Sequence, residues 1–191
     1  IFNSGVLGDI ETIEAGFCMK GPPPASDIRM QYSTGGGTTM DLGCYPISWV
    51  RHLMDDEPVE VTATAVEGPP DVDLRLFTEM KFANGVTAKT RGDMGPDATF
   101  EMAFEVTGSA GKLRVQQPLV PQIGHSIEVT VDGETTREMK DRRSTYGYQL
   151  DAFIRAVEHG EAQPTDADDG VKQMQLIDRC YEAAGMRLRG Q

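Results

Sequence analysis

Long apolar runs are missing from this chain of 191 residues. No stretch approaches the roughly 18 consecutive apolar residues that a membrane-crossing helix needs. Positive charge is short as well: 18 Lys and Arg stand against 30 Asp and Glu, for a net charge of -12. That balance argues against nucleic acid, whose phosphates require a basic face. The one local gathering of cations, Arg137, Lys140, Arg142 and Arg143, is interrupted by Glu138 and Asp141. Cysteine is scarce. Cys18, Cys44 and Cys180 are odd in number, far apart and without a C-x-x-C, so a disulfide framework is excluded and reduced thiols in the cytoplasm are expected. The three histidines, His52, His125 and His159, lack metal-ligand spacing, and no metal site is expected. A starting methionine is also absent. Ile1 leads straight into structured-looking sequence with no charged or apolar leader, and the chain reads as a piece of a longer protein.

What is present is patterned. Ile1 to Leu7 reads as the tail of a helix and Ile10 to Lys20 as a strand, followed by a loop stiffened by Pro22, Pro23 and Pro24. Gly35 to Met54 reads as a helix whose buried stripe holds Leu42, Pro46, Trp49, Val50 and Leu53. Pro46 must kink it between Leu42 and Pro46, or else start a second helix; the kink is the favoured reading. Period-two alternation then runs through Val59–Ala65, Leu74–Phe82, Val86–Thr90, Phe100–Val106, Leu113–Val115 and Ile127–Val131, with turns at Asn84-Gly85 and Asp132-Gly133. No helix between these later strands is long enough for parallel crossovers. Two helices follow: one to His159 with Leu150, Phe153, Ile154 and Val157 together, and one started by Thr165 and Asp168 that runs through Ala184. The reading is a single α+β domain over 1–191, a large, mostly antiparallel open sheet with one layer of helices packed on one face.

Chemistry concentrates at the glycine-led helix. Asp41 and Tyr45 are four residues apart and share a helical face. Gly35, Gly36 and Gly37 precede them, where a backbone or ligand can approach closely and helix-start N–H groups favour negative charge. A phenol ionises near pH 10 when unperturbed, so it needs a neighbouring cation to act as a base near neutrality. None is adjacent in this chain, and the cation is expected from elsewhere. Taken alone, the pair fits a packed tyrosine with a satisfied hydroxyl better than it fits a catalytic one. Arg29 lies in the loop ahead of the glycines, and Tyr146 and Tyr148 precede a helix; each has a surface or packing reading beside a substrate-facing one. His52 reads as structural, Trp49 as core. Arg75, Glu79, Lys81, Lys89, Arg91, Glu101 and Glu105 read as cross-strand partners on the outer face of the sheet, with Phe77 among them.

GGGTTMDLGCYPISWVRHL resembles the glycine–aspartate–histidine/tyrosine helix of the glucose–fructose oxidoreductase, inositol dehydrogenase and MocA family. Ser4–Ile10, Asp27-Ile28-Arg29 and the closing Thr145–Gly185 resemble the flanking parts of the same domain. The resemblance implies a glyceraldehyde-3-phosphate dehydrogenase-like C-terminal domain, with a Rossmann domain that binds NAD or NADP absent from this chain. It implies hydride transfer on a sugar-like or cyclic diol substrate. Tyr45 would be the acid/base group, as in the tyrosine-bearing branch, and Asp41 would orient substrate hydroxyls or share the proton network; beside these, Arg29, Gly36, Gly37 and Tyr146 are the candidate substrate contacts. A lysine from the missing part would supply the cation. The outer face of the sheet would be an interface of a homodimer or tetramer. The chain departs from the full-length pattern in having no G-x-G-x-x-G after a strand, so no dinucleotide site is expected within it and the piece alone is expected to be inactive. A non-catalytic binding or assembly module of the same fold is the alternative.

Overall fold

A computed structural model of the chain describes residues 1–139 and 141–190, which leaves Lys140 of the basic gathering outside the described residues. Eight strands form one sheet: β1 (Ile10–Cys18), β2 (Glu60–Glu67), β3 (Asp73–Lys81), β4 (Thr87–Asp93), β5 (Glu101–Gly108), β6 (Gly111–Gln116), β7 (Ser126–Val131) and β8 (Glu134–Glu138). Their order is β2-β3-β4-β1-β5-β6-β7-β8. The neighbours are antiparallel except β1 and β4, which run parallel. The expectation of no helical crossover holds among the later strands but not for this pair. After β1 the chain passes through helix α1 (Cys44–Met54) and the β2–β3 hairpin before returning as β4 beside β1. The first segment forms a short 3-10 turn, Phe2–Ser4. β8 has no apolar alternation to announce it; Asp132 and Gly133, both at positive φ, turn the chain back along β7.

Among the described residues, two of the three α-helices cover one face of the sheet. α1 lies on β1 and β4, and α3 (Ala167–Ala183) lies on β2 and against α1. The core between them holds Leu7, Ile13, Ile47, Val50, Met80 and Ile177, each at most 1 % exposed. Buried Arg51 joins the helices by donating to Asp169 and Gln173 of α3, at 3.0 and 3.2 Å. The cap of α3 is Asp166, whose side chain accepts from the Asp169 N–H, so the helix starts one residue later than the Thr165 reading. α2 (Thr145–His159) corrects the idea of a single helical layer. None of its residues is buried, and Leu150, Phe153 and Val157 are 58–69 % exposed. Its periodic stripe is real, but the described residues leave that stripe uncovered.

The expected kink is a π turn. The helix entered at Thr38 widens over Thr39–Gly43 before tightening into α1, with the Cys44 N–H reaching back five residues to the Thr39 carbonyl. Pro46 explains the place. It has no N–H to give the Leu42 carbonyl and its ring crowds that carbonyl, so the preceding turn opens. Pro46 itself lies in the first turn of α1, where a missing N–H costs little.

The outer face carries an ordered row of charges. Register places Glu79, Lys89, Glu14, Glu105, Arg114, Glu128 and Arg137 side by side from β3 to β8. Lys89 pairs with Glu79 at 2.9 Å and Arg114 with Glu105 at 3.6 Å. Arg91 and Glu101 pair at 2.7 Å, and Lys81 turns to Glu60 at 2.9 Å. Arg75 departs from the cross-strand pattern only in part, holding Asp93 across β4 and also Asp97 beyond it.

A single buried carboxylate ties this frame to the glycine-led helix. Asp73 is 0 % exposed and accepts from the Thr39 N–H and hydroxyl at 2.7 Å each, from the Tyr181 hydroxyl at 3.0 Å and from Arg189 at 2.9 Å. The Arg189 guanidinium stacks 4.2 Å from the Tyr181 ring and donates to the Gly36 carbonyl at 2.8 Å. Asp73→Ala strands a buried guanidinium and should cost about 3–5 kcal/mol, read as a lower urea midpoint at unchanged slope. Burial also pushes the Cys18 and Cys180 thiols up to about 12. Unfolded thiols ionise near 8.5, so the folded state holds protons that the unfolded state releases. Stability is therefore complete below about pH 8 and declines as the pH rises toward those folded values. Urea midpoints measured from pH 7 to 11 should fall across that window.

Candidate functional site

The π turn decides what Tyr45 and Asp41 face. Four residues make somewhat less than a full turn where the helix is widened, so the shared face expected from α-helical spacing is opened out. Tyr45, 40 % exposed, points from the first turn of α1 into a cleft of about 820 Å³. Its ring meets Phe17 of β1 edge-on, with centroids 5.6 Å apart. Across the cleft stand Tyr146, Tyr148 and Phe153 of α2. The uncovered helix is thus the far wall of the tyrosine cleft, held there by the Thr145 hydroxyl donating to the Leu119 carbonyl at 2.9 Å.

Asp41 opens on two smaller clefts beside it, one with Arg29, Gly36 and Gly37, the other with Arg29, Lys20 and Pro22. Arg29 is clasped between carboxylates: its Nε meets Asp41 at 2.9 Å and its Nη1 meets Asp27 at 3.2 Å. The structure therefore brings Tyr45 and Tyr146 together, and separately Asp41, Arg29, Gly36 and Gly37. His52 lies 3.5 Å from Asp169, on the α3 side. Trp49 is half-buried at the core's edge, 6.0 Å from Phe104.

The glycines answer to the protein's own atoms. The N–H groups of Gly36 and Gly37 donate to the Gln31 and Arg29 carbonyls, both at 2.9 Å. A Cβ on Gly36 would lie 2.7 Å from those same carbonyl oxygens. Gly37 has φ +130°, and a Cβ there would run into the Asp73 carboxylate. The negative charge that a helix start favours is Asp73 itself, seated on the Thr39 N–H.

The electrostatics of Tyr45 are one-sided. Burial pushes its phenol above the ordinary value, and Cys44, Tyr146 and Asp41 push the same way. The carboxylate four residues away makes the phenol a weaker acid, so proton release near neutrality requires a cation brought to the cleft. Sequence reasoning passed over Asp73, Tyr181 and Arg189. Their contacts span 34 to 116 residues of sequence, and no local motif announces a pairing of that kind. Phe17 and Phe153 read as strand and helix apolar positions; only the fold shows that they line one opening.

Comparison with known proteins agrees with this architecture. Residues 1–114 match the GFO/IDH/MocA C-terminal domain. A D-xylose 1-dehydrogenase (NADP(+)) of Haloferax volcanii is 30% identical over 181 residues, 93% of this chain and 55% of that protein. A dTDP-3,4-didehydro-2,6-dideoxy-alpha-D-glucose 3-reductase of Streptomyces antibioticus is 25% identical over 98% of this chain and 57% of its own length. Among solved structures, the aldose-aldose oxidoreductase of Caulobacter crescentus superposes with a TM-score of 0.85 over 95% of this chain and 55% of that one, at 23% identity. The chain spans about half the length of the curated relatives it matches. With the match covering more than half its residues, the chain belongs to the GFO/IDH/MocA family and carries that family's C-terminal domain.

Proposed function

We propose that residues 1–191 form one domain, the substrate-binding half of an NAD(P)-dependent oxidoreductase that moves a hydride to or from a sugar-like or cyclic diol carbon. One observation carries the reading: an accessible phenol, Tyr45, stands at a widened helical turn in a large cleft walled by aromatic rings. Aromatic rings of this kind suit the C–H faces of a sugar or cyclitol, and the neutral side chains among them can meet its hydroxyls. The nicotinamide, held by a second domain, supplies hydride chemistry. This chain has no glycine-rich fingerprint with which to hold a dinucleotide itself.

The role of Tyr45 is to pass a proton to or from the substrate oxygen as the hydride moves at its carbon. In this chain the phenol is held protonated by burial and by Asp41, which suits donation to a carbonyl. Taking a proton from an alcohol would require the second domain to add a cation close to the hydroxyl and lower its pKa. Asp41, clasped by Arg29, shapes the field at Tyr45 and positions the adjacent loop. Tyr146 forms the opposite wall. Gly37 supports the site by letting Asp73 close on the helix start, and Gly36 by letting the Arg29 and Gln31 carbonyls pack against it, roles nearer to the chemistry's frame than to the substrate.

The exposed stripe of α2 is apolar surface suited to a contact with that second domain. The outer face of the sheet, with its row of paired charges and Phe77 36 % exposed, suits association with another copy. In the full-length protein Tyr45→Phe should lower kcat by about 10²–10⁴-fold while the affinity for NAD(P)H, followed by nicotinamide fluorescence, stays within a factor of about two. An unchanged kcat removes Tyr45 from the mechanism and favours the non-catalytic module.

A further inference from the structure

We infer that the tyrosine cleft takes an uncharged ring, a free sugar or cyclic polyol, and rejects the same ring carrying phosphate, diphosphate or carboxylate. The inference rests on the reading of the Tyr45 cleft as the substrate site and narrows it.

Among the described residues, the fourteen that line the cleft include no Asp, Glu, Lys, Arg or His. That is notable in a chain whose residues are 25% charged. The polar groups present are neutral: tyrosine hydroxyls, Thr145, Thr165 and the amides of Gln149 and Gln163. Such groups can donate to and accept from sugar hydroxyls, which are themselves both donors and acceptors. They cannot offset a phosphate dianion, whose transfer onto a mostly apolar wall needs a paired cation, and the one cation the proposed mechanism adds is committed to the Tyr45 hydroxyl.

The charges nearest this cleft are already engaged. Arg143 stacks 4.9 Å from the Tyr148 ring, but its Nη1 is 2.7 Å from Asp151 and its Nη2 donates to the Gly147 carbonyl at 2.9 Å. The Tyr148 hydroxyl donates to Asp141 at 2.7 Å, which places a carboxylate beside the same wall. Arg29 belongs to the neighbouring cleft and is held by Asp27 and Asp41. The net charge of -12 adds a repulsive field for anions approaching from solvent. Relatives named for D-xylose and for a dTDP-linked sugar stand on either side of this choice, and the lining of this chain falls on the side of the free sugar.

The test uses the full-length protein with NAD(P)H or NAD(P)+. Steady-state kinetics would compare D-xylose, D-glucose and myo-inositol with D-glucose 6-phosphate, D-glucuronate and dTDP-glucose. The expected result is turnover of at least one neutral ring, with kcat/KM for the charged compounds lower by about 100-fold or more. Gln149→Arg, which adds a cation to the α2 wall, should narrow that gap by about tenfold, chiefly through KM for the charged compounds. Equal or better turnover of a charged compound overturns the inference. If Tyr45→Phe still abolishes that turnover, the reading of the cleft as an active site survives alone. If neither group is turned over and neither binds by calorimetry, the active-site reading fails and takes the inference with it.

Discussion

A carboxylate with no exposure to water holds this structure in register. Asp73 at the head of β3 satisfies the first free N–H of the π turn, the hydroxyls of Thr39 and Tyr181, and the guanidinium of Arg189. A buried anion is tolerable only with such a set of donors, and each donor comes from a different part of the chain. Thr39 begins the glycine-led helix, Tyr181 lies near the end of α3, and Arg189 belongs to the closing tail. Remove the charge and three segments lose a common anchor. The demand also explains the last of the three glycines, because at Gly37 the space a Cβ would need is already filled by the Asp73 oxygen. What looks in sequence like a cradle for a ligand is first of all a cradle for this side chain.

Fixing the helix start has a consequence one turn later. The segment between Asp73's partner Thr39 and the first turn with Pro46 must accommodate a missing N–H, and it does so by widening. Tyr45 stands at the end of that widening and faces Phe17 rather than the loop that Asp41 faces. The phenol and the carboxylate are therefore neighbours in the field and not in the cleft. Asp41 still acts on Tyr45 through space, adding to the burial that raises its pKa, while one of its oxygens holds the Arg29 Nε at 2.9 Å. The wide turn thus places the phenol and the carboxylate on different openings, with burial and only lastly Asp41 raising the phenol's pKa.

Much of the fold was legible because it follows period. Six of the strands, β2 to β7, carry apolar alternation and fall on the runs that show it, and β1 lies within the strand expected over Ile10 to Lys20. β8 escaped because both of its faces are solvated, leaving no periodic signal to read. The parallel pairing of β1 with β4 escaped because pattern tells which residues face inward and says nothing about which strand lies alongside. The stripe on α2 was read correctly as a stripe, yet the inference that it packs on the sheet failed: an apolar face specifies that something should cover it, not what. At the site, Tyr45 and Tyr146 were both visible in sequence and do meet one cleft. Asp73 was not visible, since a lone aspartate beginning an apolar strand carries no sign that its partners lie more than a hundred residues away.

Charge placement joins these observations. The chain carries many ions, yet they are sorted: cross-strand pairs occupy the outer face of the sheet, one deep pair locks the helix start, and the tyrosine cleft has none on its lining. Exposed pairs contribute little stability each, so the outer row matters more for what can dock on it than for holding the sheet together. The cleft shows the opposite logic. Among the described residues its walls carry no cation, so nothing on the lining opposes the burial that raises the Tyr45 pKa. In the proposed reading, a cation supplied from outside this chain would counter the burial that raises the Tyr45 pKa and would let the phenol take a proton as well as give one.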